Sequence, residues 1–267
     1  MTLPPFVRAH HGATIANVVA HTANDEEVHA VLVAGSVAKN EVRDDSDVDV
    51  VLVLSPQRFA EHQEQNRVSW VDYALATYDG GYVDFKACDA AFLEAIAERG
   101  GEPARNAFVG AFPVLCRDDA IPALVERAAT YPEVQRQDKI NSFHAQLLLN
   151  RWYFWKEARR ESNDYLLHRA ASDIVLFGAR LMLAHNRILF PSHKKLFHAL
   201  ERAPDKPSNL VTLAQTLLRA PSDEAKETFC EAVLGFTDWK ISRDPLSTYV
   251  RDSELDWFFG VPSIANN

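Results

Sequence analysis

The stretch VLVAGSVAKNEVRDDSDVDVVLVL, residues 31–54, contains two apolar runs separated by a polar segment. The first run ends at Gly35, and the second, Val48–Leu54, is interrupted only by Asp49. Short apolar runs that are rich in β-branched residues and bounded by Gly or by Asp/Ser clusters are typical of buried strands. The stretch therefore predicts a strand, a Gly-Ser turn, a polar loop and a second strand that carries carboxylates.

The carboxylates of this stretch point to a metal site. Asp47 and Asp49 are two residues apart, so on a strand both side chains point to the same face of the sheet. Two carboxylates directed at one point repel each other and lose hydration, an arrangement that a hard dication between them offsets. Mg²⁺ typically takes one or two carboxylates together with substrate phosphates. Gly35 and Ser36 offer backbone N–H groups and a hydroxyl that are suited to a phosphate.

The order of these features resembles a known signature. Gly35-Ser36, ten further residues and Asp47-Val48-Asp49 in an apolar strand resemble the DNA polymerase β-like nucleotidyltransferase superfamily. With Ala38-Lys39 and Asp45-Ser46 added, the pattern is similar to the bacterial small-molecule branch, which includes the aminoglycoside and lincosamide nucleotidyltransferases. Asn40 departs from that pattern, because relatives often carry Gly at this point of the loop.

The resemblance implies a function and a set of site residues. It implies a Mg²⁺-dependent transfer of a nucleoside monophosphate, expected to be AMP, from a nucleoside triphosphate to a hydroxyl of a small acceptor such as an aminoglycoside-like molecule. ATP is the expected donor, and two Mg²⁺ ions are expected on Asp47 and Asp49. The resemblance places five residues at the nucleotide: Gly35, Ser36, Lys39, Ser46 and Lys194.

A third carboxylate is expected from a later strand. In Tyr82–Cys88, alternation places Asp84 and Lys86 on one face and apolar side chains on the other. Members of the superfamily often complete the metal site from the strand that follows Asp-x-Asp, which implies that Asp84 binds the metal or acts as the general base. Asp72, in the preceding strand, is the alternative for this role. Lys86 is expected to pair with Asp84 or to reach the phosphates.

The composition of the chain argues against some classes of binding partner. The chain has 267 residues, 47% of them hydrophobic, and a formal net charge of −9, which argues against a nucleic-acid-binding surface. The three cysteines are widely spaced and form neither a disulfide framework nor a zinc pattern. The N-terminal residues lack the pattern of a signal peptide, and no apolar run is long enough for a membrane span. We expect a cytoplasmic protein with no membrane or nucleic-acid partner.

The chain changes character at Tyr131-Pro132, where strand patterns stop and long helical patterns begin. The prediction is an α+β protein with a small mixed-sheet nucleotidyltransferase catalytic domain over residues 1–131. Residues 132–267 are predicted to form an all-α bundle that binds the acceptor. This plan resembles the small-molecule nucleotidyltransferases specifically over residues 30–90 and only in architecture over residues 133–267.

Two features of the helical region leave alternatives open. Phe190-Pro191, two residues and Lys194 match a pattern that relatives often show in their helical domain, although a solvated basic helix start explains Lys194 equally well. Arg187 and His193 have the spacing of HEPN ribonucleases. They suggest as an alternative a protein-AMPylating or antitoxin-like nucleotidyltransferase joined to a HEPN-type domain. A template-independent RNA nucleotidyltransferase is a third hypothesis, disfavoured by the lack of a basic stripe.

Two further sets of polar residues favour a structural interpretation. Four histidines near the N-terminus match no metal-ligand motif and are expected at the surface or at helix ends: His10, His11, His21 and His29. At helical spacing, several charges of the central helix share one stripe that is expected to be solvated or ion-paired: Arg169, Asp173, Arg180 and Arg187.

Overall fold

The computed structural model describes residues 3–260 and 263–265. Its internal contacts divide the chain into two compact units, Met1–Thr130 and Tyr131–Asn267, called the α/β unit and the helical unit below. Among the described residues, no helix combines the length and the apolar character that a membrane span requires. The predicted combination of a mixed sheet with a helical region is confirmed.

A mixed sheet forms the centre of the α/β unit. Its strands are β1 Val28–Val33, β2 Val48–Leu54, β3 Ser69–Asp72, β4 Val83–Cys88 and β5 Phe112–Cys116. They lie in the order β3-β4-β2-β1-β5, with β2 parallel to β4 and the other neighbours antiparallel. The helices of this unit are α1 Ala9–Thr22, α2 Gly35–Ala38, α3 Pro56–Glu64, α4 Ala90–Arg99, α5 Glu102–Ala107 and α6 Ile121–Ala129.

The two faces of the sheet differ near one end. Val48, Val50, Val83 and Phe85 belong to a core that also takes in residues of α1 and α3. Because side chains alternate along a strand, the residues between them face the other side. There Val51, Val53 and Cys88 pack with residues of α4 and α6, whereas the earlier positions of the same strands carry carboxylates. The sheet therefore presents an apolar region and a polar region on one face.

The predicted hairpin over residues 69–88 is present, but its first strand is shorter than expected. β3 pairs antiparallel with β4 and ends at Asp72 rather than extending to residue 78. The Asp72 carboxylate accepts hydrogen bonds from the backbone N–H groups of Ala74 and Leu75. Such an Asx turn redirects the chain and competes with strand pairing.

The helical unit packs around one long helix. Its helices are α7 Arg136–Leu149, α8 Trp155–Arg160, α9 Asp164–His185, α10 Leu196–Arg202, α11 Leu210–Arg219, α12 Asp223–Leu234, α13 Pro245–Ser253 and α14 Asp256–Phe259. From Ala170 to Ala184, α9 is buried at nearly every position, as its uniformly apolar sequence predicts. A π-helical turn, Asn150–Phe154, joins α7 to α8; the apolar stripe predicted a single helix and gave no sign of this turn.

The charged stripe of α9 departs in part from expectation. Arg169 is ion-paired with Asp173 at 2.7 Å, as the i,i+4 spacing predicts. Arg180 is instead fully buried, with its guanidinium 4.3 Å from the ring centroids of both Phe143 and Phe190. Arg180 therefore does not lie on a solvated face, and the aromatic rings provide the cation with a buried environment that is favourable without water.

Candidate metal and nucleotide site

Three carboxylates converge at the polar region of the sheet. Asp49 on β2 and Asp84 on β4 are register partners in the parallel pair, and Asp47 precedes Asp49 by two residues. One carboxylate oxygen from each residue lies within 4.8 Å of the others. All three residues are partly buried. This group is therefore able to surround a single small ion with oxygen ligands from adjacent strands.

The negative charge of the group is only partly balanced. Lys86 Nζ lies 2.8 Å from Asp84 Oδ2 and 3.6 Å from Asp49 Oδ1. Burial, the charge of Asp47 and, to a lesser degree, that of Asp84 raise the pKa of Asp49 above its ordinary value in spite of Lys86. Burial lowers the pKa of Lys86, but the two carboxylates that it contacts outweigh burial and raise it overall. An added cation would relieve the repulsion that these shifts reflect.

Gly35 brings the backbone of the preceding turn against Asp49. Its φ is +60°, in the left-handed region, and a Cβ there would lie 1.8 Å from Asp49 Oδ2. The adjacent N–H of Ala34 donates to the backbone carbonyl of Asp49 at 2.9 Å. Any residue with a side chain would collide with the carboxylate, so only glycine permits this approach.

Ser36 adds an unsatisfied polar atom next to Gly35. Its Oγ is buried and has no hydrogen-bond partner among the described residues. A buried hydroxyl without a partner costs free energy, so such an atom calls for an explanation such as a ligand. Three carboxylate oxygens, a hydroxyl and a turn closely packed against them fit Mg²⁺ with a phosphate group, because Mg²⁺ prefers hard oxygen ligands.

Two residues predicted at the nucleotide are engaged elsewhere. Lys39 Nζ donates to Asn106 through its carbonyl oxygen at 2.9 Å and its Oδ1 at 2.7 Å. Ser46 Oγ accepts from the backbone N–H of Arg43 at 2.9 Å and so closes a turn of the loop. These contacts give both residues partners within the α/β unit, and their contact with nucleotide stays a prediction.

The remaining predicted residues are placed as follows. Asp72, the alternative third carboxylate, uses its side chain in the Asx turn and is not part of the group of three. Lys194 lies in the helical unit, exposed in a 3₁₀ turn His193–Lys195. Its contact with a triphosphate stays a prediction.

Arg187 and His193, the two residues with HEPN spacing, each contact a residue of the helical unit, and the HEPN alternative stays a prediction. Arg187 lies beyond the end of α9 with φ of +56°, and its guanidinium contacts both carboxylate oxygens of Glu133 at 2.8 and 3.0 Å. His193 packs edge-on against Phe190. The ion pair accounts for Arg187 without a catalytic role.

Sequence reasoning missed two residues beside the site, His11 and Tyr78. His11 was expected at the surface or at a helix end, but it is fully buried. Both side chains hydrogen-bond the carbonyl of Ser46, which directly precedes Asp47. The adjacent His10-His11 pair was visible in the sequence, but no local pattern connects it to a loop more than thirty residues away.

Similarity between this chain and known proteins was found among solved structures. No protein-family model and no curated protein matches it. Among solved structures, it is similar to a nucleotidyltransferase-like protein from Exiguobacterium sibiricum 255-15, with 14% sequence identity and a TM-score of 0.46. The alignment covers 90% of this chain and 77% of that protein.

Proposed function

We propose that the chain is a Mg²⁺-dependent nucleotidyltransferase that transfers a nucleoside monophosphate, AMP by preference, to a hydroxyl of a small acceptor. The observation that carries the proposal is the convergence of Asp47, Asp49 and Asp84 against the glycine turn at Gly35. Three crowded carboxylates destabilise a protein unless a cation offsets their charge. The turn that packs against them is suited to hold a phosphate next to that cation.

The proposed reaction is a displacement at phosphorus. The acceptor hydroxyl gives its proton to a carboxylate of the site or to water, and its oxygen forms a bond to the α-phosphorus. The bond from that phosphorus to the bridging oxygen breaks, and pyrophosphate leaves with the electron pair. Mg²⁺ would neutralise charge on the phosphates and lower the pKa of the attacking hydroxyl. Asp47, Asp49 and Asp84 would hold the metal, and the turn at Gly35 with the buried Ser36 hydroxyl would hold the β- and γ-phosphates.

Lys86 has a second role in the proposal. Its ammonium contacts the carboxylates of both Asp84 and Asp49. A flexible lysine side chain carries its charge to the nearest anion. When the nucleotide is bound, the Lys86 ammonium would move from the carboxylates to the triphosphate. Its positive charge would then offset the negative charge of the phosphates.

For the acceptor we propose the region of the helical unit around Asp173. Burial raises the pKa of Asp173 above its ordinary range in spite of the ion pair with Arg169. In the same unit the rings of Tyr249 and Phe154 have centroids 5.6 Å apart. Carboxylates and aromatic rings are groups that suit a hydroxylated, cationic molecule.

The deciding experiment is pyrophosphate release from ATP, GTP, CTP and UTP with Mg²⁺, screened over aminoglycosides, lincosamides, other polyols and lysate protein. Release that depends on one small acceptor is the expected result. Asp84→Asn should abolish it, because this change removes charge from the group without changing volume.

Asp72→Asn is the matched control. Asp72 lies on the neighbouring strand, outside the group, and Asn retains an oxygen for the Asx turn, so full activity is expected. Equal turnover by Asp84→Asn and the wild-type chain would contradict the metal assignment. Label transfer to protein alone would instead assign the chain to the protein-modifying class.

A further inference from the structure

The loop that leads into β2 is held by side chains from outside the carboxylate group. The carbonyl of Ser46 accepts two hydrogen bonds, one from His11 Nε2 at 3.1 Å and one from Tyr78 Oη at 2.5 Å. Arg8, just before α1, donates to the carbonyl of Val42 at 2.9 Å and forms an ion pair with Asp44. Residues at the start of α1 therefore hold this loop at both of its ends.

His11 has a defined protonation state in this arrangement. A carbonyl oxygen only accepts, so the hydrogen of the neutral imidazole must be on Nε2. Nδ1 is buried without a partner among the described residues. Burial, and next the nearby His10, lower the pKa of His11. The residue is therefore a fixed hydrogen-bond donor to Ser46.

Several contacts hold the ring of Tyr78 in place. Its ring centroid lies 4.7 Å from that of His10 and 5.2 Å from that of His11. On Gly81, an added Cβ would lie 2.6 Å from the same ring, so the backbone there closes against Tyr78. The preceding Thr77 donates through its hydroxyl to the carbonyl of His10 at 2.9 Å. The hydroxyl of Tyr78 is thus directed at Ser46 by packing on several sides.

We propose that His11 and Tyr78 are positioning residues that orient Asp47 for metal binding by holding the carbonyl of Ser46. This inference rests on the proposed metal site. The Ser46 carbonyl belongs to the planar peptide unit that includes the Asp47 nitrogen, so fixing the plane fixes the start of Asp47. Asp47 lies in the loop just before β2, which begins at Val48. The two donors restrain the peptide unit that precedes Asp47.

The inference is tested by Mn²⁺ binding to the full chain without nucleotide, measured from the electron paramagnetic resonance signal of free Mn²⁺. His11→Leu and Tyr78→Phe should each weaken binding about tenfold, the effect typical of residues that orient metal ligands. His11→Gln should restore most of the affinity, because its amide nitrogen can take the place of Nε2 as the donor. A role in packing alone would not give this selective rescue.

His62→Leu is the matched control. His62 is a buried histidine of the same unit that also bonds a backbone carbonyl, that of Arg67 at 2.9 Å. Unchanged Mn²⁺ affinity is expected for this variant. Circular dichroism of every variant checks the fold, and Tyr78→Phe provides the test if His11→Leu does not fold.

The outcomes separate this inference from the proposed function. If Asp49→Asn loses Mn²⁺ while His11→Leu and Tyr78→Phe bind like the wild-type chain, the metal site stands and the positioning role is overturned. If Asp49→Asn binds as well as the wild-type chain, or the wild-type chain binds no Mn²⁺, both are overturned. Weakened binding in the two variants with rescue by His11→Gln supports the inference.

Discussion

In the α/β unit three carboxylates lie within 4.8 Å of one another, and Lys86 contacts two of them, Asp49 and Asp84. In the helical unit Glu227 instead lies between two cations, 2.8 Å from both Arg151 Nε and Lys226 Nζ. The pKa shifts have opposite signs. Burial and like charges raise the pKa of Asp49, whereas for Glu227 burial raises the pKa but the two cations lower it overall.

This difference indicates where a ligand is needed. Glu227 has its cationic partners within the helical unit, and the buried Arg180 lies between two aromatic rings. The carboxylates of the α/β unit leave a negative charge that one lysine does not neutralise. Unbalanced charge costs stability, so its presence in a partly buried site favours a cationic ligand over a purely structural role.

The largest effect is expected for a substitution of Asp49, which tests the difference between the two units most directly. Asp49→Asn should lower Mg²⁺-dependent transfer about a thousandfold, equivalent to about 4 kcal/mol, because it removes a central ligand. Glu227→Gln should leave transfer unchanged and lower the midpoint of thermal unfolding. Pyrophosphate release and thermal melts of both variants give the measurement. An equal loss of transfer in Glu227→Gln would show that the two units do not differ in this way.

Arg180→Ala tests whether the buried cation of the helical unit is structural. Removing a fully buried side chain between two rings should cost about 3 kcal/mol of unfolding free energy, measured by urea denaturation, without changing Mn²⁺ affinity. Arg219→Ala is the control, because Arg219 is exposed on α11 and donates to Gln215 at 3.5 Å. Loss of Mn²⁺ binding by a folded Arg180→Ala chain would be inconsistent with a structural role.

A smaller effect is expected from the glycine turn. Gly35→Ala should cost about 2 kcal/mol of unfolding free energy and weaken Mn²⁺ binding, because it adds backbone strain and displaces Asp49. Gly80→Ala is the control. Gly80 also has positive φ, +72°, but a Cβ there meets no atom within 4 Å, so only the strain of about 1 kcal/mol remains. Equal costs for the two variants would rule out the contact with Asp49.

The smallest expected effect is a gain of stability without metal. Because the pKa of Asp49 is raised in the folded chain, the folded state binds more protons than the unfolded state between 3.8 and the raised value. Wild-type stability therefore falls as pH rises through that window. Near neutral pH, Asp49→Asn should be more stable by about 1 kcal/mol.

The pH dependence of the two units should be opposite in sign. The advantage of Asp49→Asn should disappear on acidification, when wild-type Asp49 becomes protonated. Glu227 has a lowered pKa, so its stabilising contribution is present above its unfolded pKa of about 4.5 and is lost as pH falls through its lower folded pKa. Chelator-treated protein melted from pH 3 to pH 8 measures both. A destabilised Asp49→Asn chain at neutral pH would contradict the charge imbalance.

The periodicity of the sequence was sufficient to predict much of the candidate site. The alternation of β2 and β4 places Asp49 and Asp84 on one face in advance of any structure, since side-chain direction in a strand depends only on position. The glycine at position 35 likewise indicates a backbone conformation that other residues rarely adopt. Resemblance to a known signature added the expectation that Asp84 rather than Asp72 completes the group, and the structure brings Asp84 into it.

Contacts distant in sequence were not predictable in the same way. Lys39 was expected at the nucleotide, but its ammonium contacts Asn106, which is 67 positions away. His11 was expected at the surface or at a helix end; it lies in the first turn of α1, is buried, and reaches the carbonyl of Ser46, 35 positions on. A lysine or histidine is compatible with many partners, and which one it meets depends on how the elements pack.

The sequence by itself therefore determined the strands, the face on which each aspartate lies and the change to helices after residue 130, because these follow from local spacing and propensity. The tertiary structure alone decided that β4 lies parallel and adjacent to β2 in the register that pairs Asp49 with Asp84. It also decided which side chains hold the loop before Asp47. Register and long-range hydrogen bonds depend on the packing of whole elements, and that information is not contained in any single stretch of the chain.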